Sequence, residues 1–381
     1  MPYVTLIATA AMGLESVVAN EVKQLGYDCN IENGKVVFDA PVSAIPRCNL
    51  WLRTADRLKL LVGTFKATTF DELFESTKAL PWENFIAEDG QFPVSGKSVN
   101  STLHSVPDCQ AIVKKATAER LKLKYGLASK MPETGALYKV EVAIRKDTAT
   151  LAIDTSGKGL HKRGYRIGQG DAPLKETMAA ALVMLTNWKP DYPLIDPFCG
   201  SGTIAIEAAL IGQNIAPGFN REFTCEGWPL IKNKYWKEAF EEVEDKANYD
   251  QELNITGSDI AHNMIKIANE NAIEAGLGDL INWKQMQVKD LFIRSKNGYI
   301  IGNPPYGQRI GDAEDVATIY KELGSVMKDH PSWSVYILTA FENFEKQYGQ
   351  KATKKRKLFN GFIRADYYQY FGRKNTDLQH E

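Results

Sequence analysis

After residue 170, short apolar strands alternate with helical segments, and this alternation constrains the fold of the 381-residue chain more than any other feature. The predicted strands are 194–196, 254–259, 281–287, 299–302 and 334–338. Strands that alternate with helices form a parallel, doubly wound sheet, which makes this part of the chain an α/β domain. Ligands of such domains bind at the carboxyl ends of the strands.

The front part of the chain has a mixed α+β pattern. Over residues 1–65 the order strand–helix–strand–strand–helix–strand indicates a ferredoxin-like unit. Residues 66–157 predict a second α+β unit that closes with a hairpin of two alternating strands. A basic linker over 158–170 leads to the α/β domain, 171–381, which ends in a hairpin predicted to turn at Asn360-Gly361.

Composition excludes several classes of protein. Hydrophobic residues make up 44% and charged residues 24% of the chain, as in soluble globular proteins. No apolar run reaches the roughly 18 residues of a membrane span. The pattern of the N-terminus predicts a strand rather than a signal peptide. Five cysteines without a CxxC pair argue against a disulfide framework or a zinc site. We therefore expect a cytoplasmic protein with no metal centre and no membrane contact.

Charge gives a weaker signal. The net charge is −1, so a basic field over the whole molecule is missing. Two local basic runs, 158–166 and 351–357, are candidates for contact with nucleic acid. Such a run is as often a solvated face, and composition alone leaves both interpretations open.

The segment Leu194–Thr203 is the first motif that carries chemistry. An apolar strand ends in Asp196, a glycine-rich turn follows, and a helix begins after it. Glycines allow a ligand to approach the backbone, and the first turn of the helix offers unpaired N–H groups. The turn is neither a Walker loop nor the dinucleotide G-x-G-x-x-G, which disfavours ATP and NAD.

Two acidic residues follow at the next strand ends. Asp259 ends the second strand of the domain and can accept hydrogen bonds from ribose hydroxyls. Asp290 follows the third strand and can accept a hydrogen bond from an adenine amino group. Each could instead be an ordinary helix-capping acid.

Asn303-Pro304-Pro305-Tyr306 follows the fourth strand. The two prolines stiffen the segment, and the Asn303 amide oxygen and the Pro304 carbonyl can both accept hydrogen bonds from an exocyclic amine. Tyr306 can stack on a base lifted from its helix. The motif predicts a base amine as acceptor but does not separate guanine from adenine.

These motifs resemble those of class I methyltransferases that act on exocyclic amines of bases. The segments 154–166 and 172–177 are similar to THUMP-containing RNA methyltransferases, and 215–221 and Trp228-Pro229 match an insertion of that family. The resemblance covers essentially the whole chain and is greatest to the bacterial RlmL group, the 23S ribosomal RNA guanine-N2 methyltransferases. Phe198 departs from the family, where many relatives carry methionine.

The resemblance implies a Rossmann-like class I methyltransferase domain preceded by ferredoxin-like and THUMP domains, the latter binding RNA. It implies S-adenosylmethionine as cofactor, with S-adenosylhomocysteine as product. The residues expected to hold the target base are Asn303, Pro304, Pro305 and Tyr306. The residues expected around the cofactor are Leu174, Thr177, Asp196, Phe198, Cys199, Gly200, Ser201, Gly202, Thr203, Asp259, Ile260, Asp290 and Asn303. The residues expected to contact RNA are Lys158, His161, Lys162, Arg163, Arg166, Lys354, Lys355 and Arg356.

Together these features predict methyl transfer to guanine N2 of 23S ribosomal RNA. Two alternatives stay open at this stage. The first is adenine-N6 methylation of RNA or DNA, since the Asn-Pro-Pro-Tyr motif is compatible with either base. The second is a non-catalytic RNA-binding protein or ribosome assembly factor that retains the fold.

Overall fold

The computed structural model describes residues 3–170, 173–306 and 313–373. The chain forms two compact units. The first takes most residues up to Leu160 together with Glu222–Glu242. The second takes Ala11–Val17, His161–Arg221 and the residues from Val243 onward. The segment 222–242, which the sequence assigned to the α/β domain, thus packs with the front unit.

Strand β4 joins the two predicted front domains into one sheet of order β2-β3-β1-β4-β7-β6-β5. The strands are β1 (Tyr3–Thr9), β2 (Asn30–Glu32), β3 (Lys35–Pro41), β4 (Arg57–Lys66), β5 (Val94–Val99), β6 (Lys139–Arg145) and β7 (Thr148–Asp154). The helices of this part of the chain are α1 (Glu15–Gln24), α2 (Ala44–Trp51), α3 (Phe70–Ala79) and α4 (Val106–Tyr125). Because β4 pairs antiparallel with β7 from Lys59↔Asp154 to Lys66↔Thr148, backbone hydrogen bonds run unbroken across the sheet.

Local sequence explains where these elements begin and end. Thr69 caps α3 with a capping box in which Glu72 bonds back to the Thr69 backbone. Helix α4 ends at Gly126, whose φ of +68° favours glycine. In β6 every second residue is buried, as the predicted hairpin requires.

The second unit contains the α/β sheet. Its strands are β8 (Leu194–Asp196), β9 (Ile255–Asp259), β10 (Ile281–Gln285), β11 (Tyr299–Gly302), β12 (Ser334–Thr339), β13 (Lys354–Asn360) and β14 (Ile363–Tyr370). The helices of this part of the chain are α5 (Glu176–Met184), α6 (Thr203–Gly212), α7 (Asn233–Lys246), α8 (His262–Glu274), α9 (Ala313–Lys328) and α10 (Phe344–Tyr348).

The strand order of this sheet is β10-β9-β8-β11-β12-β14-β13. Strands β8 to β12 pair in parallel, whereas β14 runs antiparallel to β12 and to β13. The prediction of a doubly wound α/β domain is therefore confirmed, with an antiparallel hairpin added at one side.

The terminal hairpin differs from the prediction by one residue. Asn360 still pairs with Ile363, so the turn consists of Gly361 and Phe362 rather than Asn360 and Gly361. Gly361 adopts a φ of +64°, and a positive φ at the first turn residue alone is the type II′ pattern, which selects glycine there.

Helix α6 anchors the glycine-rich turn to the core. All residues from Thr203 to Leu210 are buried, which is typical of a helix enclosed by protein on every side. Its apolar residues share a core with the β8, β9 and β11 strands through Leu194, Ile255 and Ile301. Within the described residues, no helix combines the length and apolarity needed to cross a bilayer.

Candidate active site

The predicted motifs meet at one edge of the second sheet. Strand β8 ends at Asp196 and its parallel neighbour β9 ends at Asp259. On the other side of β8, β11 ends at Gly302, so Asn303 leaves the sheet at the same edge. The order of the strands reverses between β8 and β11. That reversal is the switch point at which doubly wound sheets bind ligands.

The turn after β8 requires glycine for its backbone conformation. Gly200 and Gly202 have φ values of +50° and +84°, where glycine is favoured. A Cβ atom added to Gly200 would meet no atom within 4 Å, so the turn borders open space at that point. A Cβ on Gly257 of β9 would lie 2.3 Å from the Trp283 ring, which fixes glycine in the strand beneath the turn.

Asp259 ties the end of β9 to this turn. Its Oδ2 accepts a hydrogen bond from the Gly200 amide at 3.1 Å, and its Oδ1 accepts one from the Ala261 amide at 2.9 Å. Each carboxylate oxygen retains a further lone pair. Asp259 is half-buried, so these lone pairs can accept hydroxyl donors from a ligand.

Asp196 is a buried carboxyl group. Its side chain accepts a hydrogen bond from the Phe198 amide at 3.1 Å, and only 1% of the residue is exposed. Burial, assisted by the negative charge of Asp259, raises the pKa of Asp196 to about 8. Within the described residues no lysine or arginine forms an ion pair with it. A strongly shifted carboxyl group at a strand end marks a candidate binding site for a cation.

Arg166 positions the turn, although the sequence predicted it to contact RNA. Its guanidinium donates hydrogen bonds to Glu176 Oε1 at 2.7 Å and to the Leu174 carbonyl at 3.0 Å. It also donates to the Ser201 and Thr203 hydroxyls, both at 3.0 Å. The Arg166 side chain is 9% exposed and faces the protein. We therefore correct the prediction, because Arg166 joins the start of α5 to the glycine-rich turn.

Asn271 of α8 is a second positioning residue, which no sequence pattern indicated. Its Nδ2 donates to the Ser201 carbonyl at 3.0 Å and to the Gly168 carbonyl at 2.9 Å. Its Oδ1 accepts from the amides of Ile167 and Gly168. An isolated buried asparagine in a helix belongs to no motif, so only its hydrogen bonds reveal its role.

The remaining predicted cofactor residues comprise a buried group, an exposed group and the half-buried Phe198. Leu174, Thr177 and Cys199 are buried, and burial raises the pKa of the Cys199 thiol. Ile260 and Asp290 are exposed beyond the ends of β9 and β10. Phe198 lies against β11, since a Cβ on Gly302 would be 3.1 Å from its ring.

Phe292 was missing from the prediction and is 72% exposed two residues after Asp290. The guanidinium carbon of Arg294 lies 5.2 Å from the centre of its ring. Phe292 and Ile260 thus offer two exposed apolar side chains in the segments that follow β10 and β9. A flat ring such as adenine is the kind of ligand such side chains contact.

Hydrogen bonds hold the Asn303–Tyr306 motif in place. The Tyr306 hydroxyl donates to Asn303 Oδ1 at 2.5 Å. The Pro305 carbonyl accepts from the Tyr320 hydroxyl at 2.8 Å, which fixes the backbone of the motif to α9. Burial raises the pKa of Tyr306 to about 12, so it stays a neutral donor at physiological pH.

The predicted RNA-contacting residues separate into exposed and engaged groups. Lys158, Lys162, Lys354 and Lys355 are exposed, although Lys355 pairs with Glu345 at 2.9 Å. Burial lowers the pKa of His161 to about 4, so it is uncharged at pH 7 and brings no positive charge to a phosphate.

Two arginines of the basic runs are structural. Arg163 is buried and pairs with Glu207 at 3.3 Å. Arg356 donates to the Gly13 carbonyl and to the Ser16 hydroxyl. The prediction that Arg163 contacts RNA is corrected, because a side chain enclosed with its carboxylate cannot reach a phosphate. Arg356 is half-buried and held by the segment 11–17 of its own unit.

Three family models match consecutive parts of the chain. The RlmL ferredoxin-like domain matches residues 5–59, and the THUMP domain matches 67–154. The methyltransferase domain described as RMKL-like matches residues 163–369, which include all the strand ends described above.

Relatives match over nearly full length. The chain is 64% identical over 370 residues to a Bacillus subtilis (strain 168) protein named "Putative RNA methyltransferase YpsC", covering 97% of this chain and 96% of that protein. A Listeria monocytogenes crystal structure described as a "predicted N6-adenine-specific DNA methylase" is 61% identical, with a TM-score of 0.94 over 98% of this chain and 97% of the other. A crystal structure described as "SMU.472, a putative methyltransferase complexed with SAH" is 46% identical with a TM-score of 0.95, over 98% of this chain and 99% of the other.

Proposed function

The chain belongs to the RMKL-like methyltransferase family, with RlmL ferredoxin-like and THUMP domains, and we propose that it methylates guanine N2 of 23S ribosomal RNA. It is a methyltransferase that depends on S-adenosylmethionine. The base, its nitrogen and the ribosomal target are the proposed part.

The site fits a cationic nucleoside cofactor. Asp196 is a buried carboxyl group without a cationic partner in the described part of the chain, and an ammonium or sulfonium centre would stabilise its charged form. Asp259 retains lone pairs for ribose hydroxyls, and Gly200 borders open space. When bound, S-adenosylmethionine supplies a methyl group already activated for transfer. Positioning is therefore the main task of the protein.

The proposal that a base amine accepts the methyl group rests on Asn303. An aromatic amine is a poor nucleophile because its lone pair is delocalised into the ring. Asn303 Oδ1 and the Pro304 carbonyl can accept the two amine hydrogens and turn the lone pair out of the ring plane. The acceptor lies at the same sheet edge as Asp196 and Asp259, where a methyl donor held by those residues would be within reach.

RNA is favoured over other acceptors by the front unit. The THUMP match covers residues 67–154, and the Bacillus relative is named an RNA methyltransferase. A small-molecule methyltransferase has no evident use for more than 150 additional residues.

Adenine N6 is the second candidate. It is favoured by one observation, the description of the 61% identical Listeria protein as an N6-adenine-specific DNA methylase. Guanine and adenine each present an exocyclic amine that Asn303 could bind, so product analysis must decide between them.

An assay with purified protein distinguishes guanine N2 from adenine N6. Bulk RNA and genomic DNA from cells lacking the gene are incubated with labelled S-adenosylmethionine, digested to nucleosides and analysed by mass spectrometry. We expect label in N2-methylguanosine from RNA, and label in N6-methyladenosine would establish the second candidate instead.

Asn303→Ala should reduce transfer by about 100-fold or more, in the range that follows removal of a transition-state hydrogen-bonding group. Binding of S-adenosylhomocysteine should persist. The matched control is Asn254→Ala, an exposed asparagine before β9 at the opposite edge of the sheet. Normal transfer by Asn303→Ala would refute the assigned role.

A further inference from the structure

We propose that the tip of the β13–β14 hairpin stacks on RNA, with Phe362 packed against a base that neighbours the target base. The proposal rests on the proposed RNA methyltransferase function and extends it to the recognition of the substrate. No residue of the hairpin tip was among those predicted to bind RNA.

The hairpin extends past the sheet at the active-site edge. Strand β14 pairs with β12 only up to Thr339↔Asp366, where β12 reaches its carboxyl end. Pairing between β13 and β14 continues for three more residue pairs, up to Asn360↔Ile363. Three residues of strand correspond to about 10 Å. The tip therefore projects beyond the edge where Asn303 and Asp196 lie.

The tip is linked to the acceptor motif. The side chain of Asn360, the last residue of β13, lies close enough to the Tyr306 hydroxyl to lower the pKa of Tyr306, against the larger effect of burial. The same hydroxyl donates to Asn303 Oδ1 at 2.5 Å. The turn that follows Asn360 thus lies near Tyr306, whose hydroxyl bonds to the oxygen that would accept the target amine.

Phe362 is fully exposed at this turn. A single exposed apolar side chain is common in proteins and carries no argument by itself. Phe362, however, lies in the turn of the β13–β14 hairpin, which projects beyond the active-site edge of the sheet. Its neighbour Ile363 is also exposed, at 36%.

The charge around the tip fits a nucleic acid. Lys357 and Arg364 are exposed near the turn, and Lys354 is exposed further along β13. Proteins bind single-stranded RNA by combining cationic side chains for the phosphates with aromatic rings for the bases. A base removed from its helix leaves an unstacked neighbour, and Phe362 is placed to cover that neighbour's face.

Binding of a fluorescein-labelled 12-nucleotide single-stranded RNA tests the stacking. Stacking of one base on an aromatic ring is worth about 5- to 100-fold in affinity, so Phe362→Ala should weaken binding by that factor. Phe362→Trp should bind like wild type. Phe362→Leu should bind like Phe362→Ala, because leucine is apolar but presents no ring face.

The matched control is Tyr249→Ala, since Tyr249 is 59% exposed in a loop of the same unit before β9. This variant should bind the RNA like wild type, and all variants should bind S-adenosylhomocysteine equally. Wild-type affinity in Phe362→Ala would overturn the proposal. Wild-type affinity in Phe362→Leu would overturn it also, because the contact would then be apolar rather than stacking.

Methyl transfer to bulk RNA from cells lacking the gene separates this proposal from the one on which it rests. If wild type transfers methyl groups to RNA and Phe362→Ala shows an unchanged KM for RNA, only the role of the hairpin fails. If wild type transfers none to RNA, the proposed function fails as well. We expect a KM for RNA raised at least 5-fold, in line with the loss of one stacking contact.

Discussion

At the scale of the residue, the fold strongly changes the protonation of Asp196. Unfolded, its pKa has the ordinary value of 3.8, whereas burial raises it to about 8 in the folded protein. The folded state therefore binds a proton that the unfolded state releases between these two values. By linkage, this stabilisation is fully present below pH 3.8 and is lost as the pH rises through about 8.

Asp196→Asn removes this titration. We expect the free energy of unfolding of wild type, relative to that of Asp196→Asn, to fall from pH 5 to about pH 8 and to level off above it. Urea unfolding of the cofactor-free protein at several pH values measures it. Parallel pH profiles for the two proteins would contradict the assignment of a raised pKa to Asp196.

The hydrogen bond from Tyr306 limits how Asn303 can bind a base. Oδ1 has two lone pairs, and Tyr306 occupies one of them in the free protein. A bound base must use the second lone pair or displace the hydroxyl. The tyrosine stays protonated, because burial raises its pKa to about 12, and so it competes as a donor over the whole physiological range.

At the scale of the element, the glycine-rich turn is held by side chains from outside it. Arg166 bonds to the Ser201 and Thr203 hydroxyls and also pairs with the buried Glu176. The guanidinium thus uses the acceptor side of the hydroxyls that the sequence assigned to the cofactor, and each hydroxyl keeps its hydrogen to donate. The Cys199, Gly200 and Gly202 amides of the turn also donate to oxygens of the protein.

Arg166→Met should lower the free energy of unfolding by about 3–5 kcal/mol, because it leaves the Glu176 carboxylate buried without its partner. It should also weaken binding of S-adenosylhomocysteine, measured by calorimetry. The exposed Lys162→Met serves as control and should change stability by no more than about 0.5 kcal/mol. If Arg166→Met instead weakened RNA binding alone, the original prediction of an RNA contact would be right.

The same elements show what the sequence could reveal. The strands β8, β11 and β12 were predictable, because each is mainly an apolar run bounded by turn residues. The predicted order of the front elements includes a strand where β2 lies, but the position of β2 was not predictable, since its three residues are all exposed and carry no alternation. Asn271 was not predictable either, because its contacts at Ser201 and Gly168 come from distant parts of the chain. Arg163 and Arg166 look basic in sequence, but only the fold shows that Glu207 and Glu176 enclose them.

At the scale of the whole molecule, the chain has a net charge of −1, which is unusual for a protein that binds RNA. Affinity for RNA must then depend on local groups rather than on an overall field. Two cations of the basic runs have acidic partners: Arg163 pairs with Glu207 in the interior, and Lys355 pairs with Glu345 at the surface. Recognition by stacking and by hydrogen bonds to the base is consistent with this limited supply of free cations.

We propose that this chain places a methyl group on guanine N2 of 23S ribosomal RNA. The most direct measurement is nucleoside mass spectrometry of fractionated 23S RNA from cells with the gene, without it, and complemented with Asn303→Ala. We predict that N2-methylguanosine falls at one position without the gene, returns with the wild-type gene and stays absent with Asn303→Ala. An unchanged N2-methylguanosine content in all strains would contradict the proposed methylation of guanine N2.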